Sequence, residues 1–191
     1  MKRIGLFFGS FNPIHVGHLI IANCVLAKAN LDEVWFVVSP QNPFKKSNSL
    51  LHEFDRLDMV RAAIGDNTSF QAIDIEFQLP KPSYTVDTLT VLQDKYPNHQ
   101  FHLLIGGDNV AQFHQWKNAD KILEYFKLIV YPRPGQNIES LQQHTNVQVV
   151  DAPLLDISAT YIRQLLKDGK SIRYLVPDEV EEIIKSRRYY L

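Results

Sequence analysis

Two histidines three residues apart, His15 and His18, follow a glycine-led stretch, Gly9-Ser10-Phe11-Asn12-Pro13-Ile14. At a helix start that spacing sets both imidazoles on one side of the first turn. Unpaired N–H groups and the positive end of the helix dipole there favour a phosphate. Two imidazoles beside them can donate hydrogen bonds to charge growing on a phosphoryl oxygen. Gly9 lets the backbone come close to a ligand, and Asn12-Pro13 favours a turn. The bland alternative is a pair of polar core or surface histidines, with Gly17 serving helix–sheet packing. A zinc pair is another, but no third ligand lies nearby in the sequence.

A second anion site is suggested by Ile157-Ser158-Ala159-Thr160-Tyr161-Ile162-Arg163. Ser158 is a good N-cap, and Arg163 falls in the second turn of the helix it starts. A hydroxyl, free N–H groups and a guanidinium make a phosphate cradle; the plain alternative is a capped helix with a surface Arg.

Between the two lie segments that could hold a nucleotide. Ser39-Pro40-Gln41-Asn42-Pro43-Phe44-Lys45-Lys46 is a turn-rich loop ending in two cations, either surface charge or a grip on a 5′-phosphate. In Pro82-Ser83-Tyr84-Thr85-Val86-Asp87-Thr88-Leu89, Ser83 or Thr85 could cap a helix. Gly106-Gly107-Asp108 permits close ligand approach, with Asp108 suited to ribose hydroxyls. Trp116 is either core or a stacking plate for an aromatic base, and Tyr131-Pro132-Arg133-Pro134-Gly135 presents a rigidly flanked Arg133 or a solvated turn.

The elements that must position these residues alternate. Strand runs are expected at Arg3–Phe8, Glu33–Val38, Phe70–Ile75, Phe101–Ile105, Leu128–Tyr131 and Val147–Val150. They are short and dense in Ile, Val, Leu and Phe, as when both sheet faces are buried. Helices are expected at His18–Ala29, apolar almost all round and so packed deep, and at Glu53–Ile64, Thr85–Lys95, Asn118–Tyr125, Ala159–Lys167 and about Pro177 to Arg188. Pro132–Thr145 reads as a surface excursion. The pattern predicts a single α/β domain over 1–191, Rossmann-like: a doubly wound, mainly parallel sheet with helices on both faces, more helical from about 158. Each candidate segment follows a strand or opens the next helix, and in such a sheet those ends share one edge.

The first segment resembles the GSFDPIHxGH signature of the HxGH nucleotidyltransferase superfamily, with Asn12 where Asp is usual. The C-terminal segment resembles its ISSTxIR motif, which grips the outer phosphates of ATP, with Ala159 replacing the second Ser. The SYTxxTL, GxD-then-Trp and RPG segments resemble the bacterial nicotinate mononucleotide adenylyltransferases, so the likeness runs from Ile4 to about Arg163.

That resemblance implies transfer of the adenylyl group of ATP to nicotinate mononucleotide, in NAD biosynthesis. His15, His18 and Arg163 become catalytic, and ATP contacts fall on Gly9, Ser10, Phe11, His15, His18, Gly107, Asp108, Ile157, Ser158, Thr160 and Arg163. Lys46, Tyr84, Thr85, Trp116 and Arg133 become acceptor contacts, with Trp116 on the pyridine ring and N–H groups near Thr85 and Trp116 on its carboxylate. Phe44 departs from the loop's usual second Pro. Mg²⁺ is expected as cofactor, held through the ATP phosphates rather than by protein ligands. Nicotinamide mononucleotide or phosphopantetheine as acceptor, or a nucleotide-binding domain without turnover, are the alternatives.

Composition bounds these readings. Lys+Arg 20 against Asp+Glu 21 leaves no global field for a long nucleic acid. The single Cys24 excludes an internal disulfide and a Cys-based zinc cluster. The apolar run after Met-Lys-Arg is too short for a signal core or membrane span, so the cytoplasm is expected. ATP and a pyridine mononucleotide are the expected partners, with no nucleic acid and no membrane; a homo-oligomer is compatible with the sequence.

Overall fold

The computed structural model describes residues 1–41, 50–132, 138–153 and 155–191. Six strands form one sheet: β1 (Lys2–Gly9), β2 (Glu33–Val38), β3 (Phe70–Ile73), β4 (His99–Gly106), β5 (Lys127–Tyr131) and β6 (Val147–Val149). Every neighbouring pair is parallel, in the order β3-β2-β1-β4-β5-β6. All six expected runs are strands, although β3 stops at Ile73 as the chain enters a 3₁₀ turn over Ile75–Gln78.

The helices are α1 (Val16–Lys28), α2 (Glu53–Ile64), α3 (Thr85–Lys95), α4 (Gly107–Val110), α5 (Ala119–Tyr125), α6 (Glu139–Gln142), α7 (Ala159–Lys167) and α8 (Asp178–Arg187). Alternate strand residues face opposite ways, and both sides find a core. Val34, Phe36, Phe7, Leu104 and Ile129 pack on one face with α1, α2, α7 and α8. Trp35, Val37, Ile4, Leu6, Leu103 and Leu128 pack on the other with α3 and α5. Continuous apolar strands are the sequence trace of that two-sided burial.

Three expectations need correction. α1 opens at Val16, because His15 is the capping residue, and it is not buried all round: Asn23, Ala27 and Lys28 are exposed. Its apolar content reflects one face on the sheet and another half-covered by α2 and β3, where Leu19, Ile20 and Cys24 line a shallow hollow with Ala63, Ile64 and Phe70. Neither Ser83 nor Thr85 caps α3. Tyr84 takes that position, and the Ser83 hydroxyl turns instead to a buried carboxylate. The excursion after β5 is also not wholly superficial, since Leu141 of α6 is buried in the core.

The strand order reverses between β1 and β4. In an open parallel sheet the crevice outside the carboxyl ends at that point is where ligands bind. Gly9 ends β1 and Gly106 ends β4.

His102, mid-β4, opposite Gly5 and Lys127, is 1% exposed. Among the described residues neither of its ring nitrogens has a hydrogen-bond partner. Burial, with Arg3 and Lys127 adding to it, lowers its pKa from 6.5 to about 4. The folded state therefore keeps His102 neutral while the unfolded chain takes up a proton. Stability is lost as pH falls from 6.5 towards 4, by ~3 kcal/mol over the full window. Melting temperatures at pH 7.5 and 4.5 should show a smaller acid-induced drop in His102→Leu than in the parent. An equal drop in both proteins refutes this assignment.

Candidate active site

The loop after β1 is built to present the two histidines. Phe11 is in the left-handed region at φ 44°, which turns its ring into the core against Phe7 and Phe36. The residue is 2% exposed, so its ring serves the core. The Phe11 ring also lies 5.1 Å, edge-on, from the His18 ring. Gly9 is required beneath it, because a Cβ there would come within 2.7 Å of the Phe11 ring.

His15 caps α1, and His18 occupies the third position of the helix. The His15 N–H donates to His18 Nδ1 at 3.2 Å. An accepting Nδ1 leaves the proton of the neutral ring on Nε2, so that atom is a donor. The two rings stack at 3.7 Å. Gly17 leaves room for this stack, since a Cβ there would stand 3.0 Å from His15 Nδ1 and press on the ring. His15 is 5% exposed and His18 is intermediate, so His18 is the more accessible imidazole.

The C-terminal motif meets this loop. Ser158 caps α7 by accepting from the Tyr161 N–H at 3.1 Å. The nearest Ile157 atom is 3.8 Å from where a Gly17 Cβ would lie. Arg163 donates through Nη1 to the Asn12 carbonyl at 2.7 Å and through Nη2 to Thr160 Oγ1 at 3.2 Å. Two helix openings that lie far apart in sequence thus come into direct contact. Asn12, the departure from the usual Asp, accepts at Oδ1 from the Leu51 N–H and from the Tyr190 hydroxyl. An amide oxygen supplies those bonds without burying a charge.

The acceptor-side segments are also drawn together. Gly106 stands where a Cβ would come within 2.5 Å of Asp108 Oδ1 and 3.1 Å of the Tyr131 ring, so glycine lets both close over the end of β4. Gly107 opens α4, and Asp108 is exposed. Trp116 is half-buried against Phe113. Its neighbour Lys117 pairs with Asp87 at 2.8 Å and lies 5.0 Å over the Tyr84 ring, which ties the Trp116 segment to the start of α3 beside Thr85. Lys46 and Arg133 lie outside the described residues.

Two supporting groups escaped the sequence reading. Arg56 is 0% exposed. It donates to the carbonyls of Leu51 (2.9 Å), Ser39 (2.8 Å), Pro40 (3.1 Å) and Ser10, joining the loops after β1 and β2. A signal existed: Arg56 stands four residues before Val60 and three before Met59, on the stripe that α2 buries. Glu76 is 2% exposed and accepts from Ser83 (2.8 Å) and Thr88 (2.7 Å), on either side of Tyr84 and Thr85. Burial raises its pKa, opposed by those hydroxyl donors. No sequence signal marks Glu76, because its partners are set by the fold.

Residues 6–165 match the cytidylyltransferase-like family. The chain belongs to that family. Among its relatives, a probable nicotinate-nucleotide adenylyltransferase of Cytophaga hutchinsonii is 66% identical over 188 residues, 98% of each chain. One of Flavobacterium johnsoniae, described in the same words, is 49% identical over 191 residues, again 98% of each. The fold is that of the Plasmodium falciparum nicotinic acid mononucleotide adenylyltransferase complexed with NaAD, at TM-score 0.84 and 20% identity, covering 100% of this chain and 98% of that one.

Proposed function

We propose that this chain is a nicotinate-nucleotide adenylyltransferase, joining the adenylyl group of ATP to nicotinate mononucleotide with release of pyrophosphate. The observation that carries the reading is the Arg163–Asn12 contact at 2.7 Å, by which the C-terminal phosphate motif docks on the histidine loop. The full-length relatives at 66% and 49% identity support the choice of acceptor.

In this reading the acceptor's 5′-phosphate oxygen attacks the α-phosphorus in line. The new P–O bond forms as the bond to the β-phosphate bridge breaks, and that electron pair leaves with pyrophosphate. The nucleophile is already anionic, so positioning and charge stabilisation supply the catalysis. His18 Nε2 and the His15 ring meet the α-phosphoryl group. Arg163, the Ser158 and Thr160 hydroxyls and the main chain at Ile157 hold the outer phosphates. The main chain at Gly9, Ser10 and Phe11 lies along the triphosphate, and Gly107 and Asp108 receive the ribose. Tyr84, Thr85 and Trp116, with Lys46 and Arg133, hold the mononucleotide.

Among the described residues no group of three or more His, Cys, Asp or Glu is placed to hold a metal ion. Our reading has Mg²⁺ carried by the nucleotide, where it would neutralise charge on the phosphate oxygens. Our reading also treats residues 1–191 as one domain, supported by Ile162, Val180 and Ile184 sharing a core with Val25 and Leu57. It includes a cytoplasmic setting. No helix among the described residues is long and apolar enough to cross a membrane.

The test is a screen of ATP and Mg²⁺ with nicotinate mononucleotide, nicotinamide mononucleotide and phosphopantetheine, identifying products by mass. The expected product is deamido-NAD. kcat/KM for the nicotinate form should exceed that for the amide by ~10–100-fold, the worth of a hydrogen bond to a charged group. Absence of any dinucleotide with either pyridine acceptor would sink the reading.

A further inference from the structure

The chain's last residues reach back into the phosphate loop. Tyr190 donates its hydroxyl hydrogen to Asn12 Oδ1 at 2.8 Å. The same Asn12 offers its carbonyl to Arg163 at 2.7 Å. The tail is fastened to α2, where Arg187 pairs with Asp55 (3.3 Å) and Asp58 (3.2 Å). It then turns back through left-handed residues, Arg188 at φ 54° and Tyr190 at φ 65°. Such conformations in non-glycine residues carry strain that surrounding contacts must offset. Burial raises the Tyr190 pKa against the opposing pull of Arg163 and Arg56, so the phenol stays a donor.

We propose that the Tyr190 hydroxyl is a positioning group for adenylyl transfer: it fixes the Asn12 side chain, and so the carbonyl on which the Arg163 guanidinium is seated. The inference rests on the nucleotidyl-transfer reading above and adds to it a residue outside both motifs. Asn12 is 4% exposed and its Oδ1 has a second donor in the Leu51 N–H at 3.3 Å, so its plane is set from two sides. Removing the hydroxyl takes one of these two donors from Asn12 Oδ1 and so loosens the residue whose main-chain carbonyl seats Arg163, without touching either histidine.

Tyr190→Phe deletes one oxygen and keeps the ring. In the full-length protein the KM for ATP should rise ~5–10-fold, the worth of one buried hydrogen bond, while the KM for the mononucleotide changes less than ~2-fold. In an Asn12→Ala background the same change should add nothing. Parental ATP kinetics for Tyr190→Phe well below its melting temperature, or full additivity with Asn12→Ala, overturns the proposal. Calorimetric affinity for a non-hydrolysable ATP analogue separates this from the acceptor assignment. If the parent makes no dinucleotide yet binds the analogue, the acceptor reading fails, and equal affinity in parent and Tyr190→Phe then sinks the positioning role.

Discussion

Replacing His18 by Ala lowers kcat by ~10²–10³-fold, equivalent to ~2.7–4 kcal/mol of transition-state stabilisation, the usual worth of one preorganised donor at a developing oxyanion. The magnitude follows from how the ring is held. His18 Nδ1 accepts from the His15 N–H at 3.2 Å, so the tautomer with its proton on Nε2 is fixed before substrate arrives. The rings of His15 and Phe11, at 3.7 and 5.1 Å, then limit its rotation. A donor needing no reorganisation acts mostly on the transition state, so the loss should fall on kcat more than on KM. Alanine also removes one N-terminal acceptor from α1, which costs ~1 kcal/mol of stability. Steady-state kinetics on folded variant, with a melting curve beside them, separates the two effects. An unchanged kcat in folded protein rejects the role.

Arg56→Ala should be strongly destabilising. The guanidinium is fully buried and engages four main-chain carbonyls, those of Ser10, Ser39, Pro40 and Leu51. Truncation leaves these acceptors without their donor and opens a cavity. We expect a loss of ~3–5 kcal/mol, of the size seen when a buried charged network loses one partner. For a chain of this length that is a fall of about 6–20 °C in Tm. Arg56→Lys keeps the charge but not the planar fork, and should lie between the two. Activity should fall with it, because the loop that presents the histidines loses its anchor at Ser10. Thermal denaturation decides the matter, and an Arg56→Ala protein melting within about 2 °C of the parent would remove Arg56 from this role.

Both predictions concern the same loop, yet only the first rests on a residue that the sequence reading singled out. The histidines, Ser158 and Arg163 announce themselves because their chemistry is local: each motif needs a glycine, a cap or an imidazole at fixed spacing from a helix start. The strands were equally legible, since burial on both faces leaves unbroken apolar runs such as Val34 to Val38 of β2. Ser83 misled for the opposite reason. Its hydroxyl had a plausible local use as a cap, but Glu76 offers a buried carboxylate at 2.8 Å. An uncompensated charge there is worth more than one exposed helix N–H.

The sequence by itself determined the parallel α/β order, the two motifs at helix openings and the sheet edge on which they fall, because periodicity and capping act over a few residues. Only the tertiary structure decided that the motifs meet, with Arg163 on the Asn12 carbonyl, that Arg56 and Tyr190 hold the loop there, and that Glu76 holds the start of α3. Most of those contacts join residues from different elements and cross long stretches of chain. They exist only once the hydrophobic faces have packed and brought the loop ends into hydrogen-bonding distance.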